Sequence, residues 1–193
     1  MPTRDRILAA ARKAFDRHGI EGLSLRDVAA RVGITPMAIY RHFRNKEALV
    51  DALVLDGLDQ WLTRVEALPA AEGQAKLEQL SEAALEFALR EPRRFEAAFL
   101  LPSGKARRYP DDFAAGRSPA GNVVLRALEQ AIGQGELAGA SPVEMMLIIS
   151  ALSQGLVTLY RAGRIAGGEE EFRALYHRAM RRVLQSFMVE KPR

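Results

Sequence analysis

Residues 24–43 have the sequence SLRDVAARVGITPMAIYRHF, and this stretch decides the fold class. Ser24 can cap a helix that starts after it, and Asp27 completes a variant of the capping box. Gly33 supplies the left-handed residue that ends the helix. Thr35-Pro36 predicts the start of another helix, because Thr caps and Pro fits the first helical position. Two short helices joined by a tight turn form a helix-turn-helix pattern, whose second member can enter a DNA major groove.

The second helix of this pattern has two different faces. At about 100° per residue, Ile39 and Phe43 point into a small core, whereas Met37 and Arg41 point the opposite way. No acidic residue occurs in residues 28–46. A helix that approaches phosphates needs this absence, because each carboxylate there would be repelled. The outer face is therefore suited to contact DNA.

Apolar spacing is helical along nearly the whole chain, and no segment alternates with a period of two, so we predict an all-α fold without strands. Thr3 is expected to cap the first helix and Gly19 to end it. Residues 102–118 are rich in Pro, Gly, Arg and Asp and predict a loop. The predicted helices are 3–18, 24–32, 35 to about 44, 46 to before Pro69, one around 77–88 that ends near Pro92, one around 95–100, 119–133, 142–162 and 169–188.

Composition narrows the function classes. The chain has 193 residues, of which 48% are hydrophobic and 27% charged, as in ordinary globular proteins. Its net charge of +4 is uneven, because residues 1–46 contain ten Lys and Arg against four acids, whereas residues 47–193 contain eighteen against twenty. A basic end on a near-neutral body favours contact between that end and a polyanion, although a solvated charged face would have the same composition.

Several kinds of site are excluded or disfavoured. The chain has no cysteine, so disulfides and thiolate chemistry are ruled out. No uninterrupted apolar run reaches membrane-spanning length, and the N-terminus lacks the apolar core of a signal peptide, so we expect a cytoplasmic protein without membrane contact. Ser153 lies in a helical run rather than in a nucleophile elbow, and His18, His42 and His177 lack metal-ligand spacing. We therefore expect neither catalysis nor a cofactor or metal.

Three stretches resemble the DNA-binding domain of the tetracycline-repressor (TetR) family. They are residues 15–29 (FDRHGIEGLSLRDVA), residues 32–43 (VGITPMAIYRHF) and residues 45–49 (NKEAL). The resemblance covers about the first third of the chain, and the remainder agrees only in length and helical character. It implies a dimeric, ligand-responsive transcription repressor. Residues 1–63 would form a three-helix helix-turn-helix domain, joined by a long helix to a helical ligand-binding and dimerisation domain at residues 64–193.

The resemblance also implies roles for individual residues on double-stranded DNA. Tyr40 and Lys46 would contact phosphates, and Arg26 would lie beside the DNA backbone. His42 lies close to the inner face of its helix, so it could pack against the core instead of contacting bases, and Tyr40 has the same alternative. The residues expected at or near base edges are Thr35, Pro36, Met37, Ala38, Arg41 and His42.

The last two helices are predicted to form a homodimer. Both have apolar stripes wider than a helix with one partner needs, and Gly155 would allow close approach of a second helix. Two helix-turn-helix units of a dimer could then meet successive major grooves, about 34 Å apart. The alternative is a monomeric bundle core that uses the same stripes. The residues expected in the interface are Leu152, Gly155, Leu156, Leu159, Tyr176, Met180, Val183 and Phe187.

A small-molecule pocket is implied between Lys46 and about Gln134. Aromatic residues gather in this region, and the charged residues of its helices fall mostly on outer faces, so we expect a largely apolar effector. The long helix after Lys46 would transmit its effect to the DNA-binding helices. The alternative for each aromatic residue is a simple core position. The candidate lining residues are Trp61, Phe87, Phe95, Phe99 and Phe113.

Two function classes remain at this stage. The first is a DNA-binding repressor released from a near-palindromic operator by the effector, and an activator of the same architecture has the same sequence features. The second is a helical ligand- or protein-binding module whose basic end is only a solvent-exposed charged face. The first requires DNA binding that weakens steeply between about 50 and 200 mM salt, whereas the second predicts none.

Overall fold

The computed structural model describes residues 1–189, and these residues form ten helices with no strand. The only β-type pairing in this range is an isolated bridge between Leu137 and Met188. The all-α prediction is therefore confirmed. The helices are α1 (Thr3–His18), α2 (Leu25–Val32), α3 (Pro36–Ile39), α4 (Lys46–Glu66), α5 (Gly73–Arg90), α6 (Pro92–Phe99), α7 (Asp111–Ala114), α8 (Pro119–Gly133), α9 (Pro142–Arg161) and α10 (Glu169–Gln185).

The chain forms two compact units, and the division at Trp61 falls within α4. The first unit comprises Met1–Trp61 and Arg90–Ala106, so it includes α6 in addition to α1, α2, α3 and the part of α4 up to Trp61. Burial of apolar side chains is the main force that holds its helices together. Its core contains the fully or almost fully buried side chains of Ile7, Phe15, Val28, Ile39, Phe43, Leu49 and Leu53.

The second unit comprises Leu62–Leu89 and Arg107–Arg193, of which the described part ends at Val189. A buried polar chain ties three of its helices together. The Ser153 hydroxyl lies 2.7 Å from the Tyr176 hydroxyl, which donates to the carbonyl of Ser81 at 3.2 Å. Because that carbonyl can only accept, Tyr176 uses its single proton there and Ser153 donates to Tyr176. The bonds thereby connect α5, α9 and α10.

Several local expectations about helix ends and loops were wrong. The last helix, expected to continue to residue 188, ends at Gln185. Thr3 does not cap α1 but is its first residue, and the N-cap is Pro2, which makes no side-chain bond. The third helix ends at Ile39 rather than near Arg44, because the chain tightens into turns in which Arg41 N–H donates to the Ala38 carbonyl. Hydrogen bonds between residues three positions apart are typical of the 3₁₀ turns found at many helix ends.

The expected loop at residues 102–118 contains the short helix α7. The Asp112 carboxylate organises this segment by accepting from the backbone N–H of Arg108 and from Nε of Arg117, both at 2.7 Å. These two bonds hold the pKa of Asp112 below its ordinary value, the backbone bond being the larger cause. The contacts of the Asp112 side chain thus organise α7, and the Pro and Gly content from which a loop was predicted does not indicate them.

α9 is the one helix of the described chain that is long and apolar enough to cross a membrane, judged by length and composition alone. Polar residues such as Ser153 and Gln154 interrupt its apolar sequence. Only 28% of its most apolar 18-residue window is buried within the chain. α9 therefore has a large apolar face that the described residues leave uncovered.

Candidate DNA-binding surface

Local hydrogen bonds define the helix-turn-helix as the sequence predicts. The Ser24 hydroxyl accepts from the backbone N–H of Asp27 at 3.4 Å, and the Thr35 hydroxyl accepts from Ala38 N–H at 3.1 Å. Gly33 ends α2 with φ 75° and ψ 35°, in the left-handed region that favours glycine. The two caps and this turn fix where α2 ends and where α3 begins.

Side chains of α3 and the following turn separate into buried and exposed sets. Ile39 and Phe43 are buried in the core of the first unit, as the spacing predicts. On the opposite side Met37 is 75% exposed and Tyr40 is 49% exposed. His42 is exposed, so it does not take the core position that the sequence left open. The remaining DNA-contact candidates near α3 are Thr35, Pro36 and Arg41, which are exposed, and Ala38, which is half-buried.

A hollow of about 290 Å³ lies between the start of α2 and α3. Leu25 and Ile39 contribute apolar atoms to it, and Arg26, Pro36 and Tyr40 complete its lining. Arg26 and Tyr40 are both exposed and carry groups that donate hydrogen bonds. The guanidinium and the phenol therefore flank one concave surface, an arrangement suited to a phosphate of the DNA backbone.

Lys46 begins α4 and is half-buried. Its ammonium donates to the backbone carbonyl of Ile20 at 2.9 Å, which joins α4 to the segment between α1 and α2. An ammonium has three N–H donors, so this bond leaves two for other acceptors. Lys46 thus contributes both to the fold of the first unit and to its positive charge.

Two residues that sequence reasoning missed support this surface. Nη2 of Arg6 donates to the Val32 carbonyl at 2.8 Å, at the end of α2. Oδ1 of Asn45 accepts from Ala48 N–H at 2.9 Å and caps α4. The Asn45 cap could have been found from its position before Lys46-Glu47, since Asn is a preferred N-cap residue. The Arg6 contact joins residues 26 positions apart, and no local pattern indicates it.

Two family models match the chain. One, described as bacterial regulatory proteins of the tetR family, covers residues 7–53, and the other, a tetracyclin repressor-like C-terminal domain, covers residues 77–183. The second match alone spans more than half of the chain. The chain belongs to the TetR family. The N-terminal match contains all the DNA-contact candidates named above.

Individual relatives agree with this family, and solved structures share the fold. The Escherichia coli K12 transcriptional regulator UidR is 40% identical over 63 residues, which are 33% of this chain and 32% of UidR. The chain thus matches about a third of the length of such curated relatives. A Rhodococcus sp. RHA1 protein of unknown function shares the fold with a TM-score of 0.76 and 23% identity, over 98% of this chain and 96% of that one. A TetR protein from Acinetobacter baumannii AYE, solved in complex with minocycline, has a TM-score of 0.65 and 20% identity, and 93% of each chain is covered.

The candidate effector-binding aromatics are distributed over both units. Trp61, Phe95 and Phe99 belong to the first unit, where Phe99 makes edge contacts with Trp61 at 5.6 Å and with Phe95 at 5.1 Å between ring centroids. Phe87 is fully buried in the second unit, with the Arg64 guanidinium 5.0 Å above its ring. Phe113 lies half-buried in α7 of the second unit.

The candidate dimer residues also differ in exposure. Tyr176 and Met180 are buried within the second unit of a single chain. Gly155 and Leu159 are exposed on α9. The other four, Leu152, Leu156, Val183 and Phe187, are half-buried. Among residues 1–189 no group of His, Asp and Glu side chains is arranged to hold a metal ion.

Proposed function

We propose that this TetR-family chain is a homodimeric transcription repressor that binds a near-palindromic DNA operator. The observation that carries the proposal is the exposed face of α3 and its following turn. Met37, Tyr40 and Arg41 project from a short helix whose opposite side is anchored by Ile39 and Phe43. The net charge of +6 on residues 1–46 supplies attraction to the DNA backbone.

Within this proposal each candidate has a distinct role. Arg26, Tyr40 and Lys46 contact phosphates, since guanidinium, phenol and ammonium groups are ordinary phosphate donors. Arg41 contacts a guanine edge with two hydrogen bonds. Thr35, Pro36, Met37, Ala38 and His42 complete the surface near the bases. Phosphate contacts position the protein, whereas the base contacts select the sequence.

The dimer is proposed to form through α9, with a smaller share from α10. The exposed apolar side chains of Leu147, Ile148 and Leu159 lie on one face of α9, together with Gly155. Leu152, Leu156, Val183 and Phe187 border this face, while Tyr176 and Met180 support it from inside the unit. A second copy covers this face best, because a two-fold axis also sets two helix-turn-helix units at the spacing of a palindromic operator.

A small, largely apolar effector is proposed to bind within residues 64–193, with Phe87 and Phe113 as lining residues of the second unit. Trp61, Phe95 and Phe99, on α4 and α6, remain further candidates for contact with the effector. The minocycline-bound structure of a protein with this fold supports the proposal of an effector. α4 contains residues of both units, so its tilt is the proposed link between effector and DNA. Release follows if the effector prefers the conformation that fits DNA poorly.

We further propose that the protein acts in the cytoplasm, without catalysis, cofactor or membrane contact. The test is selection of bound fragments from random duplex DNA by the purified chain, followed by titration of the selected duplex at several salt concentrations. A near-palindromic sequence with affinity that falls steeply with salt supports the proposal. Absence of salt-sensitive DNA binding would instead support the alternative of a helical ligand- or protein-binding module. Transcription from a promoter containing the selected site distinguishes repression from activation.

A further inference from the structure

A groove of about 400 Å³ lies between α5 and α10, on the second unit. Its volume is within the range of small-molecule sites. It is separate from the aromatic residues considered above for the effector, none of which lines it. The lining residues are Gln74, Glu78, Ser81 and Glu82 from α5 and His177, Met180, Arg181, Leu184, Gln185 and Met188 from α10 and the residues after it.

Polar contacts between α5 and α10 lie at one end of the groove and show the relative direction of the two helices. Nε2 of His177 lies 2.6 Å from the Glu82 carboxylate, and the Tyr176 hydroxyl donates to the Ser81 carbonyl. One turn earlier on α10, Arg173 forms an ion pair with Glu86, four residues later on α5. The helices are therefore antiparallel, and their contacts follow a regular register.

In this register, residues of opposite charge lie on the two walls of the groove, which are α5 and α10. One turn beyond His177 on α10 is Arg181, and one turn before Glu82 on α5 is Glu78. Both side chains are exposed, and no ion pair joins them in the described chain. Glu78 accepts a hydrogen bond from Gln74 on its own helix at 3.0 Å. The walls thus present a carboxylate and a guanidinium to a ligand placed between them.

The floor of the groove is apolar. Met180 and Leu184 are buried there, and Met188 is 46% exposed at one edge. Methionine side chains adapt to ligands of irregular shape and make favourable contacts with aromatic rings. An apolar ligand body on this floor would cover the exposed part of Met188.

We propose that this groove binds a small zwitterion with an apolar body, of the kind represented by a hydrophobic α-amino acid. The ligand's ammonium pairs with Glu78, its carboxylate pairs with Arg181, and its side chain lies on Met180, Leu184 and Met188. A ligand with only a positive charge leaves Arg181 without a partner. A ligand with only a negative charge leaves Glu78 without a charged partner. Both charges together match both walls.

The experiment uses the full chain with ¹³C-methyl methionine, observed by NMR during titration with L-phenylalanine. We expect saturable shifts of the Met180 and Met188 methyl signals, while those of Met37, Met145 and Met146 stay in place. Phenethylamine and 3-phenylpropionate each lack one charge and should bind about tenfold more weakly, the loss expected for one charge-assisted bond. Equal binding of the three compounds would overturn the proposal, as would the absence of saturable shifts at Met180 and Met188.

Variants test the two walls separately. Glu78→Gln and Arg181→Gln should each weaken L-phenylalanine binding by about tenfold, because each removes one charged partner. Glu129→Gln and Arg126→Gln make the same changes at exposed positions of α8 outside the groove and should leave the affinity unchanged. Both wall positions are exposed, so folding is expected to survive, and unshifted Met145 and Met146 signals check it. Unaltered affinity in Glu78→Gln or Arg181→Gln would show that the assigned wall does not bind the ligand.

Discussion

The ammonium of Lys46 donates to the backbone carbonyl of Ile20 at 2.9 Å, so a residue assigned to the DNA backbone also ties α4 to the segment that precedes α2. Replacement by alanine would remove both the charge and this bond. Replacement by glutamine removes the charge but keeps an N–H donor, on a side chain one bond shorter. The two substitutions can therefore separate DNA contact from folding.

Lys46→Gln is expected to weaken binding to all DNA sequences alike. Loss of one phosphate contact should reduce the slope of log affinity against log salt by about one unit. The measurement is a series of DNA titrations at different salt concentrations, with thermal unfolding as the check on stability. Lys46→Ala should show the same slope with an additional fall in stability. A Lys46→Gln slope equal to that of the parent protein would remove Lys46 from the phosphate contacts.

Arg41 is expected to select one base pair of the operator. Arg41→Ala should cost about 1–3 kcal/mol of discrimination at that position, because a bidentate contact to guanine is lost. Arg41→Lys is the matched control, since it keeps the charge but not the planar pair of donors. Competition binding with operators changed at single positions measures the effect. If Arg41→Lys discriminated as well as the parent protein, charge alone would account for the role of Arg41.

The helix-turn-helix could be predicted because its signals are local. Ser24, Gly33 and Thr35 each act on residues within a few positions, and the structure shows the expected caps and turn. The early end of α3 was not predictable from periodicity. Ile39 and Phe43 still point into the core when the chain tightens after Ile39, so the apolar spacing is the same in both cases.

Interactions between residues far apart in the chain could not be predicted from the sequence. An apolar stripe on α10 predicts burial, but its width alone does not say whether the same chain or a second copy provides the cover. The structure buries Tyr176 and Met180 within one chain. Aromatic content likewise does not reveal which rings meet, and Phe99 packs on Trp61 in the first unit whereas Phe87 lies in the second.

Gly155 is expected to be the most sensitive position of the proposed dimer. A Cβ built at Gly155 meets no atom within 4 Å beyond its chain neighbours and the nearby backbone of α9, so a larger residue fits the isolated chain. Gly155→Leu should keep the helix, since leucine is a good helix former, but block close approach of a second α9. Analytical ultracentrifugation should show a shift from dimer towards monomer.

The matched control for that shift is Gly133→Leu. Gly133 lies at the exposed end of α8, and a Cβ there also meets nothing within 4 Å. Its dimer should persist, because the added side chain lies outside α9. A monomeric parent protein at micromolar concentration would contradict the dimer itself, and a fully dimeric Gly155→Leu would exclude α9 as the contact.

Tyr176 is expected to make the protein sensitive to alkaline pH. Burial raises the pKa of its hydroxyl above the ordinary tyrosine value, and the bonds with Ser153 and Ser81 only partly oppose this effect. The unfolded chain then releases this proton first, near pH 10, so the free energy of unfolding falls as the pH rises from there towards the folded-state pKa. Below pH 10 the contribution is fully present. Tyr176→Phe should cost about 1 kcal/mol at neutral pH through the lost hydrogen bonds, but show a smaller fall above pH 10.

Urea unfolding of both proteins between pH 7 and 11 measures this difference, and groups that titrate equally in both cancel in the comparison. Tyr109→Phe is the control for loss of a tyrosine hydroxyl at an exposed position, since Tyr109 is 43% exposed. The free energy of unfolding of Tyr176→Phe and of the parent protein could also fall in parallel above pH 10. That result would mean that the pKa of the Tyr176 hydroxyl is the same in the folded and the unfolded chain.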